Sequence, residues 1–327
     1  MVNPIRWGIL GTGWIANEFA QGLMRLPDAE LVAVGSRTLE SAQRFAERYG
    51  IPRRHAGYEA LARDTHVDVI YVATPNPLHR EHTMLCLEAG KPVLCEKPFA
   101  LNAREAEDMI RFAREKKLFL MEAMWSRFFP LMGELRTLLA QGAIGDVQIL
   151  AADICFHFDF DPSDRRYDPN LGGGALLDLG VYLVSLASMI MGPPSRIGGL
   201  GHLGETGVDE QAGIVLGYDQ GQVSTLFTSV RVDSPVEAVL IGTRGQIRIH
   251  PLWIHPDKMT LSLAGQEPTT IERPYDGNGY QFEAAEVMRC LRANKLESDL
   301  MTLNETLSII QTMDAIRAQW GLKFPGE

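Results

Sequence analysis

The segment GTGWIA at positions 11–16 constrains the fold of this chain more than any other stretch. A short apolar run at 5–10, typical of a strand, precedes it, and apolar residues at helical spacing follow it from Ile15 onward. Gly11 allows a tight turn out of the strand, Gly13 allows the backbone to approach a pyrophosphate closely, and the helix amides can then bind the phosphates. This order of strand, glycines and helix predicts a dinucleotide-binding turn; the alternative is a glycine turn that binds nothing.

The end of the second predicted strand indicates which dinucleotide is bound. This strand covers residues 30–35, and the fingerprint expects an acidic residue about 20 residues past its last glycine position, on the ribose 2′-hydroxyl. Ser36 stands there instead, and Arg37 follows it. Because no carboxylate repels a 2′-phosphate and an arginine can bind it with several donors, the sequence favours NADP over NAD. The alternative is that Arg37 is a solvated loop residue.

A third predicted strand, at 67–73, ends in a proline-containing turn. Its turn residues are Thr74, Pro75 and Asn76. Ligands of an open parallel sheet bind beyond the carboxyl ends of the strands, so this turn is predicted to lie near the dinucleotide. His79 and His82 follow at a spacing that could bind a metal ion, but no third ligand is evident, so no metal is predicted.

An apolar run at 92–95, typical of a buried strand, ends abruptly in Glu96-Lys97-Pro98. A glutamate and a lysine at the end of a buried strand are costly to dehydrate unless something there requires them. The proline presets the turn, and the bond before it is a candidate for a cis peptide that would direct the lysine into a cleft. Lys97 is therefore predicted to take part in catalysis; the alternative is a surface lysine, one of 31 Lys and Arg residues.

The alternation of strands and helices ends near residue 124. A strand at 118–121 leads into an aromatic-rich exit with Trp125 and Arg127, which can line a pocket or pack at a domain interface. Beyond it, one helix is followed mainly by strands. These strands are predicted at 147–160, 213–218, 222–229, 236–242 and 246–249. The last four are joined by short turns containing Gly or Asp, which indicates an antiparallel sheet.

These patterns predict an α/β fold in two parts. Residues 1–124 form an N-terminal Rossmann dinucleotide-binding domain, and residues 125–327 form a substrate-binding and oligomerisation α+β domain with a large, mainly antiparallel open sheet. A length of 327 residues suits two domains. Because an open sheet needs its exposed face covered, we expect a homo-oligomer through this sheet, with a dimer favoured.

Two further segments carry polar residues with possible chemistry. In the strand predicted at 147–160, alternation places a set of polar residues on one face, where substrate contact or simple solvation is favoured over metal binding. That set is Cys155, His157, Asp159 and Asp161. The second segment begins with three glycines at 172–174, which permit close backbone contact before a helix, and continues to Asp178 and Tyr182.

Asp178 and Tyr182 are four residues apart, so they share one helix face. An aspartate among leucines needs a partner if it is buried, and a tyrosine hydroxyl can exchange a proton. If this face meets Lys97, three reactive side chains surround one spot. The alternative is a core tyrosine and a capping aspartate.

Composition and charge exclude several classes of function. The net charge of −10 argues against a general nucleic-acid or anionic-membrane surface, since both require a positive face. The four cysteines form no Cys-x-x-Cys pair, so they are predicted to be free thiols in a reducing cytosol. No uncharged apolar run reaches the roughly 18 residues of a membrane span, and no signal-peptide pattern is present. We expect a cytoplasmic protein with no membrane or nucleic-acid partner.

Three separated motifs make the sequence resemble, over essentially its whole length, the glucose–fructose oxidoreductase/inositol dehydrogenase/rhizopine catabolism (Gfo/Idh/MocA) family. They are GTG at 11–13, EKP at 96–98, and GGG at 172–174 with Asp178. The nearest branch by resemblance is that of dimeric dihydrodiol dehydrogenases and NADP-dependent D-xylose dehydrogenases. The segments that resemble this branch are 94–98, 121–130 and 173–182.

Two positions refine the resemblance. Inositol-dehydrogenase relatives place a histidine where Tyr182 stands, which fits the tyrosine-bearing branch. Relatives that bind NADP often have a second arginine soon after the position of Arg37. Here Ser41 stands at that point and Arg44 lies a turn later.

The resemblance implies an NADP-dependent dehydrogenase of sugars, polyols or cyclic trans-diols, with NAD also possible. Hydride passes between the carbinol carbon and C4 of the nicotinamide. Tyr182 would be the general acid/base, and Lys97 would lower the pKa of the tyrosine and stabilise the developing alkoxide. Asp178 would orient Lys97 or a substrate hydroxyl. Two alternatives remain: a non-catalytic NADP-binding regulator, and an oxidoreductase whose cofactor does not dissociate.

The expected site residues form two sets. Those expected to bind the cofactor are Gly11, Thr12, Gly13, Trp14, Ile15, Ser36, Arg37, Thr74, Pro75, Asn76, His79, Glu96, Lys97, Trp125 and Arg127. Those expected to bind the substrate are Lys97, Trp125, His157, Arg166, Asp178 and Tyr182.

Overall fold

The computed structural model describes residues 3–327, and its elements divide between two compact units. The strands are β1 Ile5–Leu10, β2 Ala29–Ser36, β3 Arg53–Ala56, β4 Val69–Val72, β5 Val93–Glu96, β6 Leu120–Ala123, β7 Val147–Cys155, β8 Arg196–Leu203, β9 Asp209–Gly217, β10 Val223–Ser229, β11 Ala238–Gly242, β12 Gly245–Ile249, β13 Lys258–Leu263 and β14 Thr269–Glu272. The α-helices are α1 Trp14–Leu23, α2 Leu39–Tyr49, α3 Tyr58–Ala62, α4 His79–Glu88, α5 Ala103–Lys116, α6 Pro130–Ala140, α7 Val181–Met191, α8 Tyr280–Arg292 and α9 Leu303–Ala318.

The first unit, Met1–Trp125 with Asp276–Leu307, contains a six-stranded parallel sheet. Its strand order is β3-β2-β1-β4-β5-β6, so the direction of winding reverses between β1 and β4. Strands β1, β4, β5 and β6 are mainly apolar, with at most one charged residue each, and are buried at their carboxyl ends, as expected for a sheet covered on both faces. The predicted Rossmann fold is confirmed, and ligands of such a sheet bind outside the carboxyl ends at the reversal point.

The segment Asp276–Leu307, which the sequence analysis placed in the C-terminal domain, packs with the first unit. Helix α8 lies against α1 at Gly22, where an added Cβ would lie 2.9 Å from both the Tyr280 Cβ and the Gln281 nitrogen. A glycine on α1 thus makes room for the start of α8. The spacing of apolar residues predicts that this segment is helical, but it does not predict which surface the helix packs against.

The second unit, Ser126–Tyr275 with Ser308–Glu327, contains an eight-stranded sheet in the order β14-β13-β12-β11-β7-β10-β9-β8. Neighbours are antiparallel except β7 and β10, which run parallel. The prediction of a large, mainly antiparallel sheet is confirmed. The parallel pair arises because β7, the first strand of this sheet in chain order, is inserted between β11 and β10.

Helix α7 is the core helix of this unit. Its residues Val181 to Ala187 are all buried, and it packs on β7 and β10. The stretch Pro169–Met191 has the length and composition of a membrane-spanning helix, with a mean hydropathy of 1.8, and 78% of it is buried within the fold. A buried core helix of a globular domain has the same length and composition, and one such stretch is weak evidence for a membrane span.

The other face of the eight-stranded sheet is open and partly apolar. Strand register places Phe227 of β10 beside Gly213 of β9, which in turn faces Leu200 of β8. The same face continues to Ile149 and Ile241, which are directly paired. The exposed large apolar residues on this face are Ile149, Leu200, Val215, Phe227 and Ile241.

The predicted strand at 147–160 is too long. Strand β7 ends at Cys155, and the chain then follows the end of β10 through two backbone hydrogen bonds, from Phe156 N to the Ser229 carbonyl and from Phe158 N to the Val230 carbonyl. His157 therefore lies on an irregular segment, and the predicted polar face of alternating residues does not continue as a strand face. Strand β10 ends at Ser229, opposite Cys155, so β7 has no further strand to pair with beyond that point.

Candidate active site

The glycine turn after β1 has the geometry that a phosphate-binding turn requires. Gly11 has φ +114°, and a Cβ there would lie 2.6 Å from the Ala73 carbonyl oxygen, so only glycine fits. Gly13 is the N-cap of α1, and a Cβ there would meet no atom within 4 Å. Helix α1 has no side-chain hydrogen bond from its N-cap residue and no acidic residue in its first turn, as a helix start that binds an anion requires. Thr12 lies in this turn, and Trp14 and Ile15 begin α1, where Trp14 is largely exposed.

Ser36 and Arg37 lie where the sequence analysis placed them, at the carboxyl end of β2. The Ser36 hydroxyl is 3.3 Å from the Thr12 hydroxyl, which joins the end of β2 to the glycine turn. Arg37 is exposed, and within residues 3–327 it forms no salt bridge with a carboxylate. Its charge acts on the neighbouring Tyr58 hydroxyl, whose pKa is raised by burial and lowered in part by Arg37. An uncompensated guanidinium at this edge suits an anionic group.

His79 braces two turns at the same edge of the sheet. Its Nε2 lies 2.8 Å from the Thr74 carbonyl oxygen, and its Nδ1 lies 2.8 Å from the Pro98 carbonyl oxygen. Burial lowers the pKa of His79 to about 4, so the ring is neutral near pH 7 and donates to only one of these two acceptors at a time. His79 thus links the turn after β4, which continues to Pro75 and Asn76, to the turn after β5.

The His79/His82 spacing does not form a metal pair. The Nδ1 of His82 lies 3.0 Å from the Thr74 hydroxyl, and both nitrogens of His79 face carbonyl oxygens. Across residues 3–327, no group of three or more His, Cys, Asp and Glu side chains is arranged to hold a metal ion.

Lys97 lies at the carboxyl end of β5, half-buried, and its bond to Pro98 is cis, as the sequence suggested. The preceding Glu96 is buried and accepts the backbone N–H of Lys97 through Oε2 at 3.0 Å. The other oxygen of Glu96 accepts a hydrogen bond from the Tyr71 hydroxyl. Next along the chain, the Phe99 amide donates to Oε1 of Glu122 at 3.2 Å. Buried carboxylates therefore hold the backbone on both sides of the lysine.

Two residues of α8 that were not predicted, Tyr280 and Glu283, also belong to the first unit and interact with its residues. The rings of Trp125 and Tyr280 stack at 4.6 Å with an interplanar angle of 4°. One turn further on, Glu283 is fully buried, and within the described chain neither of its carboxyl oxygens has a hydrogen-bond partner. Burial, with the added repulsion of Glu96, raises the pKa of Glu283 well above its ordinary value. The only sequence signal is GNGY at 277–280, glycines that precede a helix.

Asp178 and Tyr182 lie on the second unit, both buried. Asp178 belongs to a π-helical turn, Leu176–Gly180, that leads directly into α7, and Tyr182 lies in the first turn of that helix. Such π-helical turns are rare in proteins, and those that occur are often found at functional sites. The partner that a buried aspartate needs is Arg165, which donates from Nη1 and Nη2 to the two carboxylate oxygens at 2.9 and 3.2 Å.

The arginine that contacts the Asp178 carboxylate is thus Arg165. Its neighbour Arg166, expected from the sequence to bind substrate, has other partners. Arg166 donates to Asp164 from Nε and Nη2 at 2.6 and 2.5 Å, and its guanidinium lies 3.7 Å from the ring centroid of Phe158. These hydrogen bonds lower the pKa of Asp164 to about 2. Sequence could not separate two adjacent arginines on an irregular loop.

Arg127 and His157 have contacts that the sequence did not indicate. Arg127 is buried and donates to the Ser185 hydroxyl at 2.8 Å and to the Ser185 carbonyl oxygen at 2.6 Å. It therefore binds α7 one turn after Tyr182. The Nδ1 of His157 lies 2.7 Å from the Arg231 carbonyl oxygen. His157 lines a cleft of about 450 Å³, together with Phe158, Phe160, Tyr167, His202, Glu205 and Glu210.

A glycine turn at the reversal point of a parallel sheet, a lysine two strands away and an acid–tyrosine helix define a class of two-domain nicotinamide-dependent oxidoreductases. The model of the oxidoreductase family with an NAD-binding Rossmann fold, GFO_IDH_MocA, matches residues 5–124, and that of the GFO/IDH/MocA C-terminal domain matches residues 132–248. The chain belongs to the Gfo/Idh/MocA oxidoreductase family. The predicted family and the prediction of an oxidoreductase with a dinucleotide-binding domain are confirmed.

Individual relatives extend over the whole chain. The sequence is 40% identical to the trans-1,2-dihydrobenzene-1,2-diol dehydrogenase of Mus musculus, with 98% of each chain covered. The aldose-aldose oxidoreductase from Caulobacter crescentus, solved with glycerol, is similar in structure with a TM-score of 0.88, 26% identity and 98% of each chain covered. The 3-ketoreductase KijD10 from Actinomadura kijaniata, solved with NADP and TDP-benzene, has a TM-score of 0.84 at 27% identity and covers 97% of this chain and 98% of its own.

Proposed function

We propose that this protein is an NADP-dependent dehydrogenase that transfers hydride between a hydroxyl-bearing carbon of a sugar, polyol or cyclic trans-diol and the nicotinamide. The observation that carries the proposal is the helical segment with Asp178 and Tyr182, in which Arg165 holds the buried acid one turn before the tyrosine. A protein that only binds a nucleotide does not need an ordered acid beside a buried tyrosine. The 40% identity to a diol dehydrogenase over 98% of both chains supports the substrate class.

NADP is the proposed cofactor because of the residues around Gly13 and at the carboxyl end of β2. The open space at Gly13 and the uncapped start of α1 fit the pyrophosphate. Ser36 replaces the acid that would bind a ribose 2′-hydroxyl, and Arg37 presents an uncompensated charge to a 2′-phosphate. A relative of similar structure was solved with NADP, which supports the same choice.

The proposed roles of the chain's own residues follow from their chemistry. The bound nicotinamide supplies the hydride acceptor. Oxidation removes a hydride from the carbinol carbon and a proton from its oxygen, and Tyr182 is proposed to take that proton. Lys97 is proposed to stabilise the alkoxide and to favour the ionised tyrosine, because a positive charge lowers the pKa of a nearby phenol. Asp178, fixed by Arg165, orients a substrate hydroxyl or the lysine.

The proposed substrate contacts are Lys97, Trp125, His157, Arg165, Asp178 and Tyr182, and Arg166 is given a different role. Arg166 is committed to Asp164 and Phe158, so we propose that it shapes the loop that presents Arg165. The Trp125–Tyr280 stack offers an apolar surface on which a sugar or diol ring can lie. Which sugar or diol fits depends on single pocket side chains.

We also propose that two copies associate through the open face of the eight-stranded sheet. Five large apolar side chains are exposed on that one face, and strand register places them side by side. A monomer rarely leaves such a surface in water. A second copy covers it with the same surface, as twofold symmetry requires.

One experiment separates the proposed function from its alternatives. NADPH and NADH are titrated into the purified protein by fluorescence, and aldoses, polyols and cyclic diols are then supplied while absorbance is followed. We expect tighter binding of NADPH, turnover on one substrate class, and loss of the preference in Arg37→Ala. Binding without turnover on any substrate indicates a regulator. Nucleotide released only on denaturation, with turnover between two sugars and no use of added NADP, indicates a retained cofactor. Binding of neither nucleotide overturns the proposal.

A further inference from the structure

A buried acid outside the predicted site contacts the start of the helical segment that carries Asp178 and Tyr182. Asp209 opens β9 and has no exposed surface. Its Oδ2 accepts the backbone N–H of Leu176 at 2.7 Å, and Leu176 is the first residue of the π-helical turn. Within the described residues, its Oδ1 has no hydrogen-bond partner. The carboxyl group thus supports the helix start with one oxygen and leaves the other unused.

Gly174 closes the pocket around this carboxyl group. Its φ is +114°, and an added Cβ would lie 2.2 Å from Oδ1 of Asp209. The neighbouring Gly173 is equally confined, since a Cβ there would lie 2.8 Å from the Arg166 carbonyl oxygen. The glycine run therefore lets the backbone approach the Asp209 carboxyl group closely and leaves no room for a side chain at Gly174.

The charged groups around this pocket are committed to one another. On the loop before the glycines, Arg165 pairs with Asp178 and Arg166 pairs with Asp164. On the strand side, Glu210 and Arg231 lie 3.5 Å apart. The Tyr167 hydroxyl donates to the Phe158 carbonyl. Within residues 3–327, no cation forms a salt bridge with Asp209, so its charge state depends on burial and on its backbone donors.

We propose that Asp209 is a positioning residue for the segment that carries Asp178 and Tyr182, and that a proton on its carboxyl group sets how firmly this segment is held at its first residue. Its catalytic meaning rests on the function proposed above. Burial, opposed by the Leu176 hydrogen bond, raises the pKa of Asp209 to about 7, so both charge states are populated in neutral solution. The ionised carboxylate binds the Leu176 amide about twice as strongly as the acid does, and a helix start favours negative charge.

The direct test is the Leu176 amide, followed by NMR in deuterated full-length protein as pH is varied. We expect its ¹H and ¹⁵N shifts to titrate with a midpoint at about pH 7, and Asp209→Asn, which keeps a carbonyl acceptor, to abolish the titration. The matched control is Asp153→Asn, because Asp153 is also buried and accepts a backbone amide, that of Val236 at 2.8 Å. This control should leave the Leu176 titration in place.

A flat Leu176 response in the unmodified protein, or an unchanged titration in Asp209→Asn, overturns the proposal. If Asp209→Asn does not fold, the ¹³C resonance of the Asp209 carboxyl group decides the matter in the unmodified protein. A midpoint near the ordinary aspartate value of about 4 overturns the proposal, and one at about 7 supports it.

The catalytic arm compares pH profiles of kcat and KM. Asp209→Asn should lower kcat roughly fivefold above neutral pH, where the charge-assisted hydrogen bond is lost, and flatten the limb near pH 7 with little change in KM. A kcat profile that Asp209→Asn leaves unchanged overturns the positioning role. If the function proposed above is wrong, the unmodified protein shows no turnover, while the Leu176 titration is still measurable.

Discussion

The phenolic hydroxyl of Tyr71 donates a buried hydrogen bond to Oε1 of Glu96, the residue that precedes Lys97. Tyr71 lies on β4 and Glu96 ends β5, which are neighbouring parallel strands. Burial raises the pKa of Tyr71, so the phenol keeps its proton and acts as the donor. The other oxygen of Glu96 accepts a hydrogen bond from the Lys97 backbone amide. The Glu96 side chain therefore links the Lys97 backbone to Tyr71 on β4.

Removing the Tyr71 hydroxyl should loosen this attachment. Tyr71→Phe takes one donor from a buried carboxylate, and we expect the free energy of unfolding to fall by about 1–3 kcal/mol and kcat to fall with it. Urea unfolding and steady-state kinetics measure the two effects. The control is Tyr49→Phe. The half-buried Tyr49 hydroxyl donates to Oδ1 of Asn17 at 2.9 Å, and its removal should lower the free energy of unfolding by less than about 1 kcal/mol. Equal losses in the two variants contradict the interpretation.

Glu283 and Glu286 lie three residues apart on α8 and should give opposite pH dependences. Burial raises the pKa of Glu283 above 4.5, so the stability due to its proton is complete below that value and is lost as pH rises through the folded-state pKa. Hydrogen bonds from Arg289 and Ser298 outweigh desolvation and lower the pKa of Glu286, so its contribution is present above 4.5 and is lost as pH falls.

Glu283→Gln should therefore gain stability relative to the unmodified protein as the pH rises above about 4.5, whereas Glu286→Gln should lose stability relative to it as the pH is raised from the acid range. Urea unfolding at several pH values measures both differences. Parallel stability curves for Glu283→Gln and the unmodified protein would mean that Glu283 is ionised in the fold. The charge of Glu96 adds to the effect of burial on the pKa of Glu283. Glu96, Glu283 and Tyr280 also raise the pKa of Tyr71.

Local patterns predicted the elements whose residues are close in sequence. The Gly11 and Gly13 positions, the helix from Ile15 and the EKP turn follow from spacing and from the backbone freedom of glycine and proline. The glycine-rich strand β8, Arg196–Leu203, is harder to predict because glycine is unfavourable in strands.

The unpredicted part of the site consists of residues that meet through the fold. Glu283 reaches Glu96 only because α8 returns to the first unit, and Asp209 reaches Leu176 only because β9 lies beside the π-helical turn. Arg165 and Arg166 have the same sequence context, and the direction of each side chain depends on an irregular loop. These are tertiary contacts, which neither the periodicity of apolar residues nor secondary-structure propensity can predict.

Gly13 should separate nucleotide binding from folding. An added Cβ meets no atom within 4 Å and φ is −73°, so Gly13→Ala should change the free energy of unfolding by less than about 0.5 kcal/mol. The same methyl group fills the space proposed for the pyrophosphate, so NADPH should bind at least about tenfold more weakly. Fluorescence titration measures this. The control is Gly133→Ala on α6, where an added Cβ would come no closer than 3.9 Å to another residue, and it should leave NADPH affinity unchanged. Unaltered NADPH affinity in Gly13→Ala would place the phosphates elsewhere.

Leu200 tests the proposed association through the sheet. It is 86% exposed on β8 and lies across Gly213 from Phe227, so Leu200→Lys places a charge in the middle of the apolar face. We expect this variant to sediment as a monomer at concentrations where the unmodified protein is a dimer. Met24→Lys, at an exposed apolar position of the first unit, should leave the dimer intact. A monomeric unmodified protein, or a dimeric Leu200→Lys variant, contradicts the proposed interface.

The two adjacent arginines provide the sharpest test of the role proposed for Asp178. Arg165→Ala removes both side-chain donors to the buried Asp178 carboxylate, whereas Arg166→Ala breaks a pair with Asp164 on the same loop. Because Arg165 is half exposed, water can replace part of the interaction, and we expect a loss of about 1–2 kcal/mol, less than for a fully buried pair.

Catalysis should suffer more than stability. A misplaced Asp178 disturbs the geometry at the reacting hydroxyl, so kcat should fall at least about tenfold in Arg165→Ala, with NADPH affinity unchanged. Arg165→Lys keeps the charge but cannot donate to both carboxylate oxygens in a planar fork, so it should recover activity only in part. Arg166→Ala should retain more kcat than Arg165→Ala. If Arg166→Ala has the larger effect, Arg166 contacts the substrate directly and the assignment of Arg165 is wrong.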